Sequence, residues 1–266
     1  MKVPERSKKK AGKENGITVI QVLQILTVVG ILGYMQYTVT TGKISKVFLA
    51  APTSILEEGV NLAKSGELWP HLFLTLQEVL TGYFLAVVTG VAVGVLWTLF
   101  PKTEEYLNVF CSAVMAVPKT AILPLLILWF GIGFHSKVVL IFLSAVFQIL
   151  YNTVTGAKQC DANYLKVARV FEASRAQTVF RVIISAALPS MFNGFRLAAA
   201  TALTGVVFSE MQVARAGLGY LLSQAQIMLD TPRMFFIIIL VTLISVGLVK
   251  LVRVMEYALC HRWRRV

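Results

Sequence analysis

The sequence predicts an all-α polytopic membrane protein with about six transmembrane helices. Three observations carry that expectation. Of its 266 residues, 57% are hydrophobic and only 14% charged, with a mean hydropathy of +0.74, which is too apolar for a soluble domain of this length. Apolar runs at about 17–37, 73–100, 107–130, 137–157, 186–209 and 234–256 each reach the roughly 20 residues that cross about 30 Å of hydrocarbon. Lysine and arginine gather beside alternate ends of those runs, as the positive-inside rule requires.

Residues 1–16 are polar and lysine-rich, and are expected to form a cytoplasmic basic tail. The run at 17–37 outlasts the apolar region of a secretory signal and is read as the first span. Residues 38–71 then form an external segment. Its Ile55, Leu56, Val60, Leu62 and Ala63 suit a short amphipathic helix at the interface, ending near Ser65-Gly66. Residues 72–256 are read as the transmembrane core, including the loop 158–185, and residues 257–266 as a second basic tail. In the second span, Gly90-Val-Ala-Val-Gly94 lets helix backbones approach closely, and packing within the chain is preferred over a dimer seam. Pro118 and Pro124 interrupt the third span, where the freed carbonyls are tolerated in a kink or along a path.

If the N-terminus is cytoplasmic, inside segments hold most of the cations, among them Lys102, Lys158, Lys166, Arg169, Arg175, Arg181, Lys250 and Arg253. The outside holds Lys43, Lys46, Lys64, Lys137, Arg215 and Arg233. Both termini are then cytoplasmic. The net charge of +12 is explained by topology and by a bilayer bearing anionic lipid, and no aromatic-basic motif points to nucleic acid. Cys111, Cys160 and Cys260 lack paired spacing, so metal and disulfide readings have little support.

The loop after the fourth span, 158–185, is a basic, small-residue stretch that does not cross the membrane, and reads as a docking element. Asp161 is placed to cap a helix whose Leu165, Ala168, Val179, Phe180 and Ile183 meet apolar surroundings while its arginines face water. Among ionisable groups in or beside spans, Glu78, Lys119, Arg196 and Glu210 are candidates for a path or gate, together with Pro124 and Asn152. Arg196 makes either a structural salt bridge or carbonyl contact, or a substrate contact. Glu210 belongs to an external gate or receives a partner outside. Lys119 attracts an anion or snorkels to the cytoplasmic face. The chain has no GxxxxGK[ST], HExxH or GxSxG, so no chemistry is assigned to it.

Several blocks occur together and in order: Ser65-Gly-Glu-Leu-Trp69, Leu123-Pro-Leu-Leu-Ile-Leu-Trp-Phe-Gly-Ile-Gly133 with Ser136-Lys137, Asn152-Thr153, Val167-Ala168-Arg169, Ala173-Ser174-Arg175, Ala186-Ala-Leu-Pro189, Gly194-Phe-Arg-Leu-Ala198, Glu210-Met211, Gly217-Leu-Gly-Tyr220 and Asp230-Thr231. On these, residues 49–256 resemble the permease subunit of binding-protein-dependent ABC importers, in the nitrate, sulfonate, taurine and thiamine-precursor branch. The resemblance implies the type I ABC importer permease fold, a bacterial inner-membrane location and import of a small solute. It also implies cytoplasmic ATPase subunits that carry ATP and Mg, a second permease copy or a paralogous permease, and an external solute-binding protein. By the same resemblance the loop is the coupling element, with Lys166, Ala168, Arg169, Glu172, Ala173, Ser174 and Arg175 at the ATPase contact and no cofactor in this chain.

That loop departs from the family pattern, which has a glycine where this chain has Glu172 and a proline where it has Ser185. Glutamate resists a positive φ by roughly 1 kcal/mol, and its spacing from Arg169 and Arg175 supports continued helix by about 0.2–0.5 kcal/mol per pair. The turn is therefore expected to give way to a straighter helix. The partner ATPase is then shaped to accept it, or the chain is a divergent regulatory or structural half of a heterodimer. An ion-coupled transporter is the third reading, though inverted halves with broken helices are not apparent.

Overall fold

A computed structural model describes residues 19–263, with side chains described to residue 259; the basic stretch 1–16 lies outside the described residues. The described elements are helices α1 (Val19–Thr40), α2 (Pro52–Lys64), α3 (Leu68–Leu99), α4 (Pro101–Ala116), α5 (Lys119–Phe130), α6 (Phe134–Lys158), α7 (Ala162–Val170) and the single turn α8 (Arg175–Gln177). A π-helical turn, Thr178–Ile183, then runs into α9 (Ile184–Val213), followed by α10 (Leu218–Ile227) and α11 (Thr231–Trp263). Five of the helical segments are long and apolar enough to cross a membrane, and the number is six if the bent pair α4 and α5 is counted as one broken span. α11 continues to Trp263, into the stretch read from sequence as a tail.

α6 lies at the centre, between α3 and α9. Lipid tails are as apolar as leucine, so exclusion from water cannot hold these helices together and close packing must. The glycines of α3 show how. A Cβ on Gly82 would lie 2.7 Å from the Ile141 side chain, one on Gly90 2.9 Å from Ile149 and one on Gly94 2.7 Å from Thr153. The Gly90–Gly94 spacing thus serves packing within the chain. On the opposite side of α6, Ala198, Ala199 and Ala202 of α9 are fully buried, and Ser190 Oγ donates to the Asn152 carbonyl at 2.9 Å. Gly90→Leu is expected to force α3 off α6 at an overpacking cost of about 1–3 kcal/mol, read as a lower thermal unfolding temperature in mild detergent.

The third apolar run is not a kinked rod. α4 and α5 meet at 95° around Val117 and Pro118, because the residue before a proline is pushed out of helical geometry and Val117 takes ψ 127. Pro124 lies inside α5, so the break falls at the first proline and not the second. Between the first two long helices, α2 buries Ile55 and Leu62 and leaves Leu56 and Val60 exposed. Leu62 joins Leu68, Leu218, Leu221, Leu222 and Ile237 in one apolar cluster. Arg233 of α11 fastens this layer, with Nε 2.9 Å from Glu58 and Nη1 3.3 Å from Glu67. α1 touches the rest chiefly at its end, where Gln36 bonds Thr53 at 3.2 Å.

Candidate functional site

Two polar assemblies lie at opposite ends of the core. The first is the loop between α6 and α9. Asp161 accepts from the Asn163 amide at 2.8 Å and starts α7, satisfying one of the amides that a helix start leaves free. α7 ends in a Schellman motif, with Ala173 N bonded to Ala168 O at 3.0 Å and Glu172 N to Arg169 O at 3.0 Å. That geometry needs a left-handed residue after the cap, and Glu172 supplies it with φ 52.

The expectation of a straighter helix is therefore corrected. Two backbone hydrogen bonds, each worth about 0.5–1.5 kcal/mol net, together with burial of Ala168 and Val179, outweigh the roughly 1 kcal/mol that a side chain costs in this conformation. Among the described residues Glu172 forms no ion pair with Arg169 or Arg175. Phe180 is 59% exposed, so within the chain it is left largely uncovered. Ser174 restarts the helix with a reciprocal capping box, accepting from Gln177 N at 3.2 Å while its own amide donates to Gln177 Oε1 at 2.9 Å.

Ala168 and Ala173 border an open groove together with Tyr164, Val167 and Phe171. Val170 is 80% and Phe171 79% exposed, so the turn displays apolar surface ringed by Lys166, Arg169, Arg175 and Arg181. The loop is tied to the core where Lys158 Nζ approaches Glu104 Oε1 at 2.6 Å and where the π-turn enters α9. Ser185, the position of the missing proline, follows that turn by two residues. A π-turn, like a proline, interrupts the regular helical ladder.

The second assembly is buried at the end of the helices opposite the loop. His71, Thr75 and Glu78 share one face of α3. Lys137 of α6 forms an ion pair with Glu78, and both are almost wholly enclosed, as is Glu210 of α9. Thr75 donates to Glu210 Oε1 at 2.7 Å. Three successive amides at the start of α10 are claimed by side chains: Gly217 N by His71 Nδ1 at 2.9 Å, Leu218 N by Thr75 Oγ1 at 2.9 Å and Gly219 N by Glu210 Oε2 at 2.7 Å. Glu210 thus sits at the positive end of α10, where an anion is favoured. Gly217, with φ 117, leaves room for that carboxylate, which a Cβ would strike. Next to the network is a cavity of about 410 Å³, bordered by Glu78, Lys137, Ser136, Ser209, Leu123 and Arg215. The arrangement ties α3, α9 and α10 together through hydrogen bonds, and α3 to α6 through the Glu78–Lys137 pair.

The other candidates lie apart. Lys119 donates to the Met115 carbonyl across the α4–α5 bend, capping a helix end. Pro124 is exposed on α5. Asn152 bonds Gln148 O at 2.8 Å and receives Asn193 at 3.2 Å, at the α6–α9 contact. Arg196 is paired with Glu256 of α11. Sequence reasoning placed Glu78 and Glu210 as candidates but left Lys137 as an outside topology charge and passed over His71 and Thr75. The signal was present in the 71, 75, 78 spacing, which aligns three polar groups on one face of an apolar helix.

The family described as binding-protein-dependent transport system inner membrane component matches residues 82–265. SsuC of Bacillus subtilis (strain 168), whose name assigns it to aliphatic sulfonate transport, is 34% identical over 223 residues, covering 84% of this chain and 80% of that protein. The taurine transport system permease protein TauC of Escherichia coli (strain K12) is 32% identical over 187 residues, 68% of either chain. Among solved structures, the inward-facing MetNI methionine ABC transporter matches with a TM-score of 0.57 at 20% identity, covering 71% of this chain and 97% of the other.

Proposed function

Because the chain belongs to the binding-protein-dependent transport system inner membrane component family, and is thus an importer permease subunit, we propose that its cytoplasmic loop takes the thrust of partner ATPase subunits. The observation that carries this is the preserved turn. α7 and α8 present Val170 and Phe171 outward on a doubly capped, rigid corner that leads through the π-turn directly into α9. ATP and Mg belong to the partners. Closure of the ATPase pair pushes α7, and α6 and α9 follow because both enter the loop.

At the other end, the Glu78–Lys137–Glu210 network holds the outer segments of α3, α6, α9 and α10 closed around the cavity, and its rearrangement opens the outer side. A second permease copy completes the path, and an external binding protein delivers a small solute of the oxyanion, alkanesulfonate or vitamin-precursor class. The intact turn favours this reading over a non-transporting structural subunit. Co-purification from the native host tests it: an ATPase subunit and a second permease chain are expected to accompany the tagged protein, and their absence would sink the assignment.

Both termini and the loop are assigned to the cytoplasm. Cys160, beside the loop, reports on this. Burial, reinforced by the neighbouring Asp161 carboxylate, raises its thiol above the ordinary value, so the reactive thiolate is scarce at neutral pH. In a C111S/C260S background, a membrane-impermeant maleimide is expected to label Cys160 in inside-out vesicles and not in right-side-out ones. Raising the pH toward 9 should speed the reaction; labelling in the opposite vesicles would invert the topology.

A further inference from the structure

Glu172 occupies the apex of the cytoplasmic turn with φ 52, where a side chain is disfavoured and glycine is not. Leu229, with φ 55, repeats this geometry after α10, so the fold tolerates a side chain there. Charge and setting single out Glu172. It is exposed, it makes no ion pair among the described residues, and it is the only acidic residue from 162 to 209, amid Lys166, Arg169, Arg175 and Arg181. It also adjoins Val170 and Phe171, the most exposed apolar side chains of the turn.

Any partner that covers those two side chains also removes water from Glu172. A carboxylate buried without a paired counter-charge is strongly unfavourable, and among the described residues Glu172 forms no ion pair with its own arginines, so an apolar or acidic receiving surface is penalised at that point. We propose that Glu172 is a specificity-determining contact: the ATPase that serves this permease places a lysine or arginine beside the slot for Val170 and Phe171. The ion pair selects that ATPase over one shaped for an uncharged turn, since the same carboxylate penalises the wrong cleft. This rests on the docking role proposed above for the loop.

The test uses the full-length permease in nanodiscs and the ATPase subunit that co-purifies with it, with dissociation constants measured for wild type, Glu172→Gln, Glu172→Gly and Glu172→Lys. Glu172→Gln and Glu172→Gly are expected to bind about tenfold more weakly, and Glu172→Lys more weakly still. The wild-type advantage should shrink as salt is raised, while thermal unfolding shows Glu172→Gly to be at least as stable as wild type. Unchanged or tighter binding by Glu172→Gly and Glu172→Gln would overturn the proposal while leaving the docking role intact. A wild-type permease that binds no ATPase would overturn the docking role itself, and this proposal with it.

Discussion

Replacing Lys137 with methionine is expected to abolish accumulation of folded permease. The substitution keeps most of the side-chain volume and removes the cation, leaving Glu78 and Glu210 enclosed together with no counter-charge. Removing one partner of a buried ion pair costs about 3–5 kcal/mol, against a total stability of roughly 5–15 kcal/mol for an ordinary protein. Thermal unfolding followed by size-exclusion chromatography in mild detergent reads the effect. Glu78→Gln combined with Lys137→Met removes both charges, and should recover much of the loss. An unshifted unfolding temperature for Lys137→Met alone would show that the pair does not hold α3 and α6 together.

Phe171→Asp is expected to leave the permease folded and stop transport. The side chain is 79% exposed, so the isolated subunit gains no buried charge and should unfold at the wild-type temperature. In the complex, a second carboxylate enters the apolar slot beside Glu172. Loss of a central aromatic anchor costs about 2 kcal/mol or more at an interface, which is roughly a thirtyfold weaker complex, and the new charge adds its own desolvation penalty. Solute uptake and stimulated ATP hydrolysis should fall together. Normal uptake by a stably folded Phe171→Asp protein would mean that the ATPase does not grip this turn.

The spans were legible because composition and run length alone decide whether a segment partitions into lipid. The Asp161 cap and the close-packing role of Gly90 and Gly94 were legible because each depends on local spacing. The α4–α5 bend was only half legible: the prolines marked an interruption, but its 95° angle follows from where Val117 leaves the helix. The turn at Glu172 was misread because summing neighbour charge pairs of a few tenths of a kcal/mol omits the hydrogen bonds to Ala168 and Arg169 and the burial of Val179, which is set by elements distant in sequence. Lys137 was missed for a related reason. A lysine at the end of an apolar run looks like a topology signal, and only the register of α6 against α3 brings it to Glu78. Arg196 left two options open in the sequence because its partner, Glu256, is on another span.

The measurement that most directly tests the central claim is solute uptake by proteoliposomes containing the permease, its co-purified ATPase and its binding protein. ATP is trapped on the side of the loop, and an ATPase-dead partner serves as the comparison. Uptake that requires hydrolysis and is indifferent to ionophores is the result predicted here. Uptake that survives with the dead ATPase and collapses when an ionophore dissipates the ion gradient would contradict it, making the chain an ion-coupled transporter.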